Sequence, residues 1–524
     1  MIFNTREHLQ ELQTRAKVCV SVIEKYKWLI DSYVLDFFVD DHWSKIPENW
    51  KQFLNTATPE DLAFLIDLNN EDSELTFNKV WPLEILALKA TIKRYALNRT
   101  PISRLQLMTD LNVPVPTQDA NTPNVYNWPT NCTDELTVEA GQHKALQHVF
   151  RKHIKPKKQH EIVRMSQLAI LLASKTRETN KLDIGAGLGH LSRLLAFGHN
   201  FKVTCLEAED QFGSTAVQFD QDLIRATSKS TKISQDQEDK KPKHVTLKLE
   251  PKLDSNIFVE KMHDTFGDHS FGLLGLHTCG DLGPTIGTKF SKIYLDNLIS
   301  RNIFSYFQCD YLLKLLMQAV YNQLDVVTCT LKKHSHLVKT LNPFPNRTLG
   351  KNQLFVYNQL FVYKLFVYIF SYVALELACH AIETYKNRLN SQEEQEKLKV
   401  HCRRALLELL FHRKRPDLRH KGLKTVKNSH LLTFQDYVTK ATSEFLDFVP
   451  MIDFQDQEID EKLSYWWKVV AFYTLRLLFA PLIETLVLID RCLYLHEKGL
   501  ECSLAALFDP ELSPRNFVIY SVKS

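Results

Sequence analysis

Residues 181–207 read KLDIGAGLGHLSRLLAFGHNFKVTCLE, and the pattern of this stretch decides the fold. An apolar strand at 182–184 leads into glycines at alternate positions, and an apolar helix at 191–197 follows. A second apolar strand at 201–206 ends on Glu207. A strand, a glycine turn, a helix and a second strand in this order are typical of the first half of a nucleotide-binding βαβ unit.

Three glycines and one acid in this unit indicate a bound ligand. Gly185, Gly187 and Gly189 lack Cβ atoms, so they adopt φ values that other residues avoid and let a ligand approach the backbone. Glu207 ends the second strand, where a carboxylate accepts hydrogen bonds from the two hydroxyls of a ribose. These residues therefore predict a ribose-containing ligand over the glycine turn.

The spacing of the glycines indicates which nucleotide is bound. The dinucleotide fingerprint is G-x-G-x-x-G, whereas here the third glycine comes one residue earlier and His190 stands in its place. Asp183, two residues before the first glycine, suits S-adenosylmethionine, because a carboxylate binds the cationic methionine ammonium directly or through water. We therefore favour a class I methyltransferase fold with S-adenosylmethionine as cofactor over a nicotinamide site. A glycine turn without a ligand is the structural alternative.

Composition limits the class of protein. The chain has 524 residues, too many for one compact core, and its net charge of +4 predicts no general attraction to nucleic acid. The ten cysteines include no C-x-x-C pair, and no His/Cys group has zinc spacing, which predicts reduced thiols and no metal. The first residues, MIFNTREHLQ, lack the apolar run of a signal peptide, so we expect an intracellular protein, cytoplasmic or nuclear.

Changes in composition divide the chain into five predicted segments. Residues 1–110 carry apolar residues at helix spacing and predict a helical cap, and residues 111–150 form a linker rich in Pro, Asn and Thr. The Rossmann-like core covers residues 151–290. Residues 291–372 include three FVY repeats and are a divergent low-complexity insertion or a doubtful segment. Residues 373–524 are expected to supply C-terminal helices and the closing strand of the same domain.

A basic segment, RKHIKPKKQH at 151–160, precedes the helix that leads into the glycine-rich unit. Its Lys155, Lys157 and Lys158 are candidates for contacts with the phosphates of a nucleic acid. A solvated helix entry is the commoner outcome for a charge run of this kind.

A later apolar strand at 271–276 opens into His277-Thr278-Cys279-Gly280-Asp281. In doubly wound folds the ligand lies beyond the carboxyl ends of the strands, so these residues are expected to face the methyl group of the cofactor. His277 or Asp281 would then orient or deprotonate the methyl acceptor. A histidine that only bonds a loop is the alternative for His277.

Seven motifs resemble the methyltransferase-like 25 family, and most closely its branch named ribosomal RNA adenine dimethylase domain-containing protein. The resemblance implies a fold that depends on S-adenosylmethionine and a substrate that is poorly defined; the branch name suggests RNA adenine, which is weak support because folds are shared between functions. The motifs are YVLDFF (33–38), VWPLEILALKA (80–90), KPKKQHEI (155–162), LDIGAGLGHLSRLLA (182–196), GLHTCGDLGP (275–284), APLIETLVLIDRCLYLHEKG (480–499) and LFDPELSPRNFVI (507–519).

The chain departs from the patterns that this resemblance would require at two places. Adenine-N6 methyltransferases carry an Asn-Pro-Pro-Tyr type motif after the fourth strand, where this chain reads HTCGDLGP at 277–284, which weighs against N6-adenine chemistry. The family also has a fifth strand ending in Cys-Cys-Tyr, and the nearest substitute is LDVVTCTL at 324–331. If the fifth strand were lost, the substrate side of the cleft would be incomplete.

Residues 469–489 are long and apolar enough to cross a bilayer, but Arg476 and Glu484 interrupt them. A buried helix is favoured, and a single-pass membrane anchor is the alternative. The aromatic run at 354–382 allows the same two interpretations.

The predicted function is an intracellular S-adenosylmethionine-dependent methyltransferase whose acceptor, RNA or protein, the sequence does not identify. A non-catalytic binding or scaffold protein that keeps the fold is the alternative, and the missing fifth-strand motif favours it. Intact Asp183 and Glu207 favour the enzyme, because a scaffold has no use for either. A nicotinamide-dependent oxidoreductase ranks third because of the glycine spacing.

Overall fold

The computed structural model describes the chain in ten segments that form two compact units. The sheet unit comprises Met1–Gln13, Asn98–Ile369 and Leu488–Ser524, and the helical unit comprises Thr14–Leu97 and Phe370–Val487. The domain boundaries predicted from composition remain predictions. The described residues are 2–3, 6–69, 79–114, 154–228, 240–249, 255–267, 269–276, 304–308, 370–497 and 500–522.

An eight-stranded sheet lies at the centre of the described part of the sheet unit, in the order β1-β7-β8-β6-β5-β2-β3-β4. Strand β2 pairs in parallel with β3 on one side and with β5 on the other, and β4 and β6 extend the parallel sheet outward. Strand β8 runs antiparallel to both β6 and β7. The strands are β1 (Ile2–Phe3), β2 (Asn180–Ile184), β3 (Lys202–Glu207), β4 (Lys243–Thr246), β5 (Gly272–Gly275), β6 (Phe304–Gln308), β7 (Cys502–Ala506) and β8 (Phe517–Val522).

The central strands are short apolar runs because helices cover both faces of a parallel sheet. In β2 the residues from Lys181 to Ile184 are all buried, and in β5 all four residues are buried. The strands that neighbour β2 follow it on opposite sides, which makes its carboxyl end a topological switch point. Ligands of open α/β sheets bind at such a point.

Helices make up the described part of the helical unit and flank the sheet in the other unit. A buried cluster that includes Leu407, Phe411, Val438 and Phe448 forms one core of the helical unit. The helices are α1 (Arg6–Lys25), α2 (Lys27–Ile30), α3 (Glu48–Leu54), α4 (Pro59–Ile66), α5 (Leu83–Tyr95), α6 (Arg104–Asp110), α7 (Pro156–Thr176), α8 (His190–Arg193), α9 (Asp210–Ser228), α10 (Ser255–Phe266), α11 (Tyr372–Ala378), α12 (Ile382–Leu389), α13 (Gln392–Leu398), α14 (Val400–Lys414), α15 (Phe434–Ala441), α16 (Gln457–Ser464), α17 (Trp466–Leu477) and α18 (Ala480–Glu497).

A fifth parallel strand is present in the sheet, at a place in the sequence where none was predicted. Strand β6 lies between β5 and β8, and its sequence is FSYFQ. The substitute predicted at 324–331 lies outside the described residues. The sequence gives only a weak signal for this strand, because its five residues include the polar Ser305 and Gln308 and no complete Cys-Cys-Tyr motif follows it.

The apolar stretch Trp466–Glu497 has a mean hydropathy of 1.7 over its best window and is long enough to cross a membrane. Within the structure 94% of that window is buried, and a core helix of a soluble protein passes the same test. Arg476, which interrupts the stretch, is held by backbone carbonyls: its Nε donates to Leu29 O at 3.2 Å and its Nη2 to Ile30 O at 3.0 Å. The length and composition of this stretch are therefore weak evidence for a membrane span.

An ion-pair network joins α14 to the 3₁₀ turn Val34–Asp36 in the helical unit. Asp36 Oδ1 accepts from Arg419 Nη2 at 2.7 Å and lies 2.9 Å from His420 Nε2. Glu408 Oε1 accepts from the backbone N–H of His420 at 3.0 Å. Ligand atoms of Asp36, Glu408 and His420 lie close enough together for a metal ion, but Arg419 already supplies positive charge there. We therefore interpret the cluster as a structural network.

This network predicts that part of the stability of the helical unit depends on pH. The hydrogen bond to Asp36 raises the pKa of His420. The stabilisation that protonated His420 gives is therefore complete below the unfolded pKa near 6.5, and it is lost as pH rises through the folded pKa. His420→Gln should therefore lower the free energy of unfolding by up to about 1 kcal/mol at pH 6, with a smaller difference above pH 8. Urea denaturation of both proteins across this range measures it.

His412→Gln is the matched control, because His412 is exposed on α14 and belongs to no ion pair that the structure describes. Its effect on the free energy of unfolding should be small and independent of pH. A difference between wild type and His420→Gln that stays constant with pH would contradict the proposed protonation of His420.

Candidate functional site

The glycine turn between β2 and α8 has the backbone conformation that only glycine adopts without strain. Gly185, Gly187 and Gly189 have φ values of +68°, +55° and +68°. A Cβ built on Gly187 would meet no atom within 4 Å, so open space lies over the centre of the turn. The turn is therefore a cradle that a ligand could enter against the backbone.

The carboxylate of Glu207 closes this cradle at the end of β3. Its Oε2 accepts a hydrogen bond from Gly187 N at 2.7 Å, and its Oε1 accepts from Ala208 N at 2.8 Å and from Glu209 N at 3.3 Å. The side chain is half-buried. These bonds hold the acid at the rim of the open space, where the sequence places the ribose-binding group.

Asp183 lies at the carboxyl end of β2 and is only 2% exposed. Its Oδ2 accepts a hydrogen bond from Ser192 Oγ at 2.5 Å, which ties the strand to α8. The carboxylate therefore has a partner within the protein, and its contact with a ligand ammonium remains a prediction. Sequence reasoning missed Ser192, whose position one turn into the following helix is the signal that it could reach back to β2.

A buried charge cluster below the turn was also missed. Arg193 Nε donates to Asp220 Oδ1 at 2.7 Å, and Asp220 Oδ2 lies 2.7 Å from His244 Nε2. Arg193 Nη2 donates to Leu188 O at 3.1 Å and to Ala216 O at 3.2 Å. The cluster joins the turn, α9 and β4, and so it fixes the shape of the cradle.

His190 occupies the position of the third glycine in the dinucleotide fingerprint. The residue is buried, its ring stacks on Phe219 with a centroid distance of 6.0 Å, and its Nδ1 lies 3.3 Å from Arg193 Nη1. The third glycine of the fingerprint permits close packing of helix against strand. A packed imidazole at this place disfavours a nicotinamide dinucleotide.

The three lysines predicted to contact phosphates differ in their surroundings. Lys155 is exposed, and Lys157 Nζ lies 3.4 Å from Glu161 Oε1. Lys158 is half-buried, and burial lowers its pKa. The negative charges of Glu161 and Asp183 act in the other direction and raise this pKa, but burial has the larger effect. Of the three lysines, Lys155 is therefore the exposed one.

Two of the motifs that resemble the family, KPKKQHEI and LFDPELSPRNFVI, meet in the sheet unit. His160 Nε2 accepts from Asp509 N at 2.8 Å, and Glu161 Oε1 accepts from Ser513 Oγ at 2.7 Å. Arg164, one turn further along α7, donates from Nη1 to Leu507 O at 2.9 Å. These bonds give the two motifs a shared structural purpose, which is to hold the last strands against the helix that precedes the cradle.

The candidate catalytic residues His277 and Asp281 lie outside the described residues, so their roles remain predictions. Leu276, directly before them, is buried after the end of β5, and β5 is the neighbour of β2 in the sheet. After β6 the chain reads Cys309-Asp310-Tyr311, which keeps the first cysteine and the tyrosine of the Cys-Cys-Tyr pattern. These three residues also lie outside the described part of the chain.

Comparisons with known proteins agree with this architecture. A family model described as a methyltransferase domain matches residues 157–296. A human protein described as "Probable methyltransferase-like protein 25" is 34% identical over 96 residues, and this match covers 16% of the present chain and 16% of the human protein. The match therefore covers only a small part of the length of the human protein. No solved structure matches the chain.

The sheet order and the matched family model lead to the same fold. The parallel strands β4-β3-β2-β5-β6, continued by the reversed β8 and then by β7, form the sheet of a class I methyltransferase. The chain therefore carries a class I methyltransferase domain, and the resemblance to the methyltransferase-like 25 family expected from its sequence is confirmed.

Proposed function

We propose that the protein is an S-adenosylmethionine-dependent methyltransferase. The observation that carries the proposal is the cradle itself: three left-handed glycines, open space over Gly187 and the carboxylate of Glu207 bonded at its rim. A turn that served only to connect β2 to α8 would need neither three left-handed glycines at alternate positions nor an acid from the next strand.

The residues at the cradle fit the cofactor. Gly185, Gly187 and Gly189 would lie under its methionine end, and Asp183 would balance the charge of the ammonium, directly or through water. Glu207 would accept the two ribose hydroxyls. A carboxylate offers about four acceptor positions, so Glu207 can bind a ribose while it keeps at least part of its backbone bonds.

The cofactor supplies a methyl group that its sulfonium has already activated, so the protein's contribution is mainly to position the acceptor in line. His277 or Asp281 would take the proton that the acceptor loses. The acceptor is RNA or a protein, and Lys155 is the best placed of the three lysines to meet a phosphate because it is exposed. We propose an intracellular location, cytoplasmic or nuclear.

The missing fifth-strand motif favoured the scaffold alternative. The strand itself is present as β6, which weakens that argument, although the Cys-Cys-Tyr motif is still not matched in full. Catalysis remains the better proposal because the cradle, the acid at its rim and the complete row of parallel strands occur together.

Calorimetric titration of the full chain with S-adenosylmethionine tests the proposal. Wild type should bind with micromolar affinity, and Asp183→Ala should reduce that affinity at least about tenfold, because a charge-assisted bond contributes about 1.5–3 kcal/mol. Asp264→Ala, an exposed acid on α10, is the matched control and should bind like wild type. A folded wild-type protein that binds no cofactor would rule out the proposed function.

A further inference from the structure

The helical unit contains a cavity of about 130 Å³ that the proposed methyl transfer does not use. It is formed by the turn at Val34–Asp36 together with α11, α14 and α17. Polar groups form much of its wall. They are Tyr33, Glu376, His380, His401, Arg404, Tyr473 and Arg476.

Arg476 provides a buried positive charge in this wall, because it is only 4% exposed. Two of its nitrogens are bound to the carbonyls of Leu29 and Ile30, and the structure gives Nη1 no hydrogen-bond partner among the described residues. Burial lowers the pKa of Arg476 to about 10, which leaves the guanidinium charged at neutral pH. A donor with a positive charge therefore remains available beside the cavity.

Arg404 provides the second positive charge. No hydrogen bond or ion pair joins its guanidinium to another residue in the described part of the chain, although its charge acts on Tyr33 and His401. Arg404 is an exposed residue, whereas on the same helix Arg403 is bound to backbone carbonyls and Arg413 pairs with Glu458. The cavity is thus lined by two arginines that lack carboxylate partners.

One acid offsets part of this positive charge, because the negative charge of Glu376 acts on Arg476. Glu376 is the acid in the cavity wall, and no ion pair within 4.0 Å joins it to either arginine in the described structure. The charge of Asp31 also acts on Arg476, but no ion pair joins the two residues in the described structure, and Asp31 is already paired with Lys27 Nζ at 2.7 Å. The wall therefore carries excess positive charge, which favours an anion.

In the wall, the imidazole of His401 packs against Tyr473, which also contacts Tyr385 outside the wall. The His401 ring stacks on Tyr473 with a centroid distance of 4.5 Å, and Tyr385 packs on Tyr473 from another side. Burial and the nearby arginine charges lower the pKa of His401 to about 3, so this ring is neutral at physiological pH. Its Nε2 is buried and has no partner among the described residues. Such an orphaned polar atom is expected where a ligand or a water is bound.

We propose that this cavity binds a small anion, a phosphate or a carboxylate, between Arg404 and Arg476. Guanidinium groups match both oxyanions in geometry and charge. The volume suits inorganic phosphate or an organic acid of a few carbon atoms, and it is smaller than the cavities that hold larger cofactors. The site lies wholly within the helical unit, so its occupancy is a property separate from methyl transfer.

Thermal unfolding and calorimetry of the full chain with sodium phosphate or sodium acetate test the proposal, with ionic strength held constant by sodium chloride. At least one of the two anions should raise the unfolding midpoint saturably in wild type. Arg404→Gln should fold normally and bind that anion at least about tenfold more weakly, because it loses a charged donor. Arg413→Gln, on the same helix and outside the cavity, should bind like wild type.

The pattern of results decides the proposal and the anion class. A response to phosphate alone assigns a phosphate site, and a response to acetate alone assigns a carboxylate site. The proposal is overturned if neither anion has a saturable effect, or if Arg404→Gln binds the anion as tightly as wild type and the Arg413→Gln control do.

Discussion

Glu207→Ala should weaken the binding of S-adenosylmethionine by about a hundredfold or more. The acid would make two charge-assisted hydrogen bonds to the ribose, each of which contributes about 1.5–3 kcal/mol, and each 1.4 kcal/mol is a factor of ten in affinity. The same change removes the acceptor of the Gly187 N–H, so the cradle also loses a bond that holds its shape. Calorimetric titration of the full chain measures the loss.

Two further variants separate the role of the carboxylate from a general loss of structure. Glu209→Ala removes an exposed acid two residues away and keeps the backbone N–H that donates to Glu207, so its affinity should equal that of wild type. Glu207→Gln keeps one acceptor oxygen and should fall between wild type and Glu207→Ala. Normal binding by Glu207→Ala would show that the cofactor does not lie in this cradle.

The parts of the site that local sequence determines could be predicted. The glycines, Asp183 and Glu207 belong to one continuous βαβ pattern, in which strand ends and the turn are set by residues next to one another in the chain. The left-handed φ values of all three glycines follow from this pattern. The alternating apolar residues at 245–249 predict a third strand, and the structure has it at Lys243–Thr246, a difference of the size that strand ends commonly show.

The parts that depend on distant residues could not be predicted. Asp220 meets Arg193 across 27 positions and His244 across 24, and nothing in the local pattern of α9 or β4 indicates either pair. The helical unit shows the same limit, because Lys386 pairs with Asp67 at 3.1 Å across 319 positions. The helical unit combines Thr14–Leu97 with Phe370–Val487, two stretches far apart in the chain whose association no local pattern indicates.

Asp220→Ala should lower the free energy of unfolding by about 3–5 kcal/mol, because it leaves a buried guanidinium without its counter-charge. Asp220 is 0% exposed and Arg193 only 4% exposed, so water cannot replace the lost carboxylate without a local rearrangement. Two carbonyl bonds from Arg193 would remain, but they do not neutralise its charge. Chemical denaturation followed by circular dichroism measures the change.

Asp222→Ala is the control on the same helix. Asp222 pairs with Arg225 at 3.7 Å where both side chains are largely exposed, and an exposed pair contributes at most about 1 kcal/mol. Equal losses for Asp220→Ala and Asp222→Ala would show that the buried pair does not stabilise the fold. This result would also remove the reason to expect that Arg193 fixes the glycine turn.

The double variant Arg193→Met/Asp220→Leu distinguishes charge from packing. If an uncompensated charge causes most of the loss, removing both partners should cost less than the sum of the two single changes, and the coupling should exceed about 1 kcal/mol. Recovery should be incomplete, because Leu188 O and Ala216 O lose the donor that Arg193 supplies.

Leu188 lies within the glycine turn, so the double variant should also bind S-adenosylmethionine more weakly than Asp222→Ala, although neither substituted residue would contact the cofactor. Weaker binding by a folded double variant would mean that the buried cluster determines the shape of the cradle, and unchanged binding would mean that the glycine backbone maintains this shape by itself.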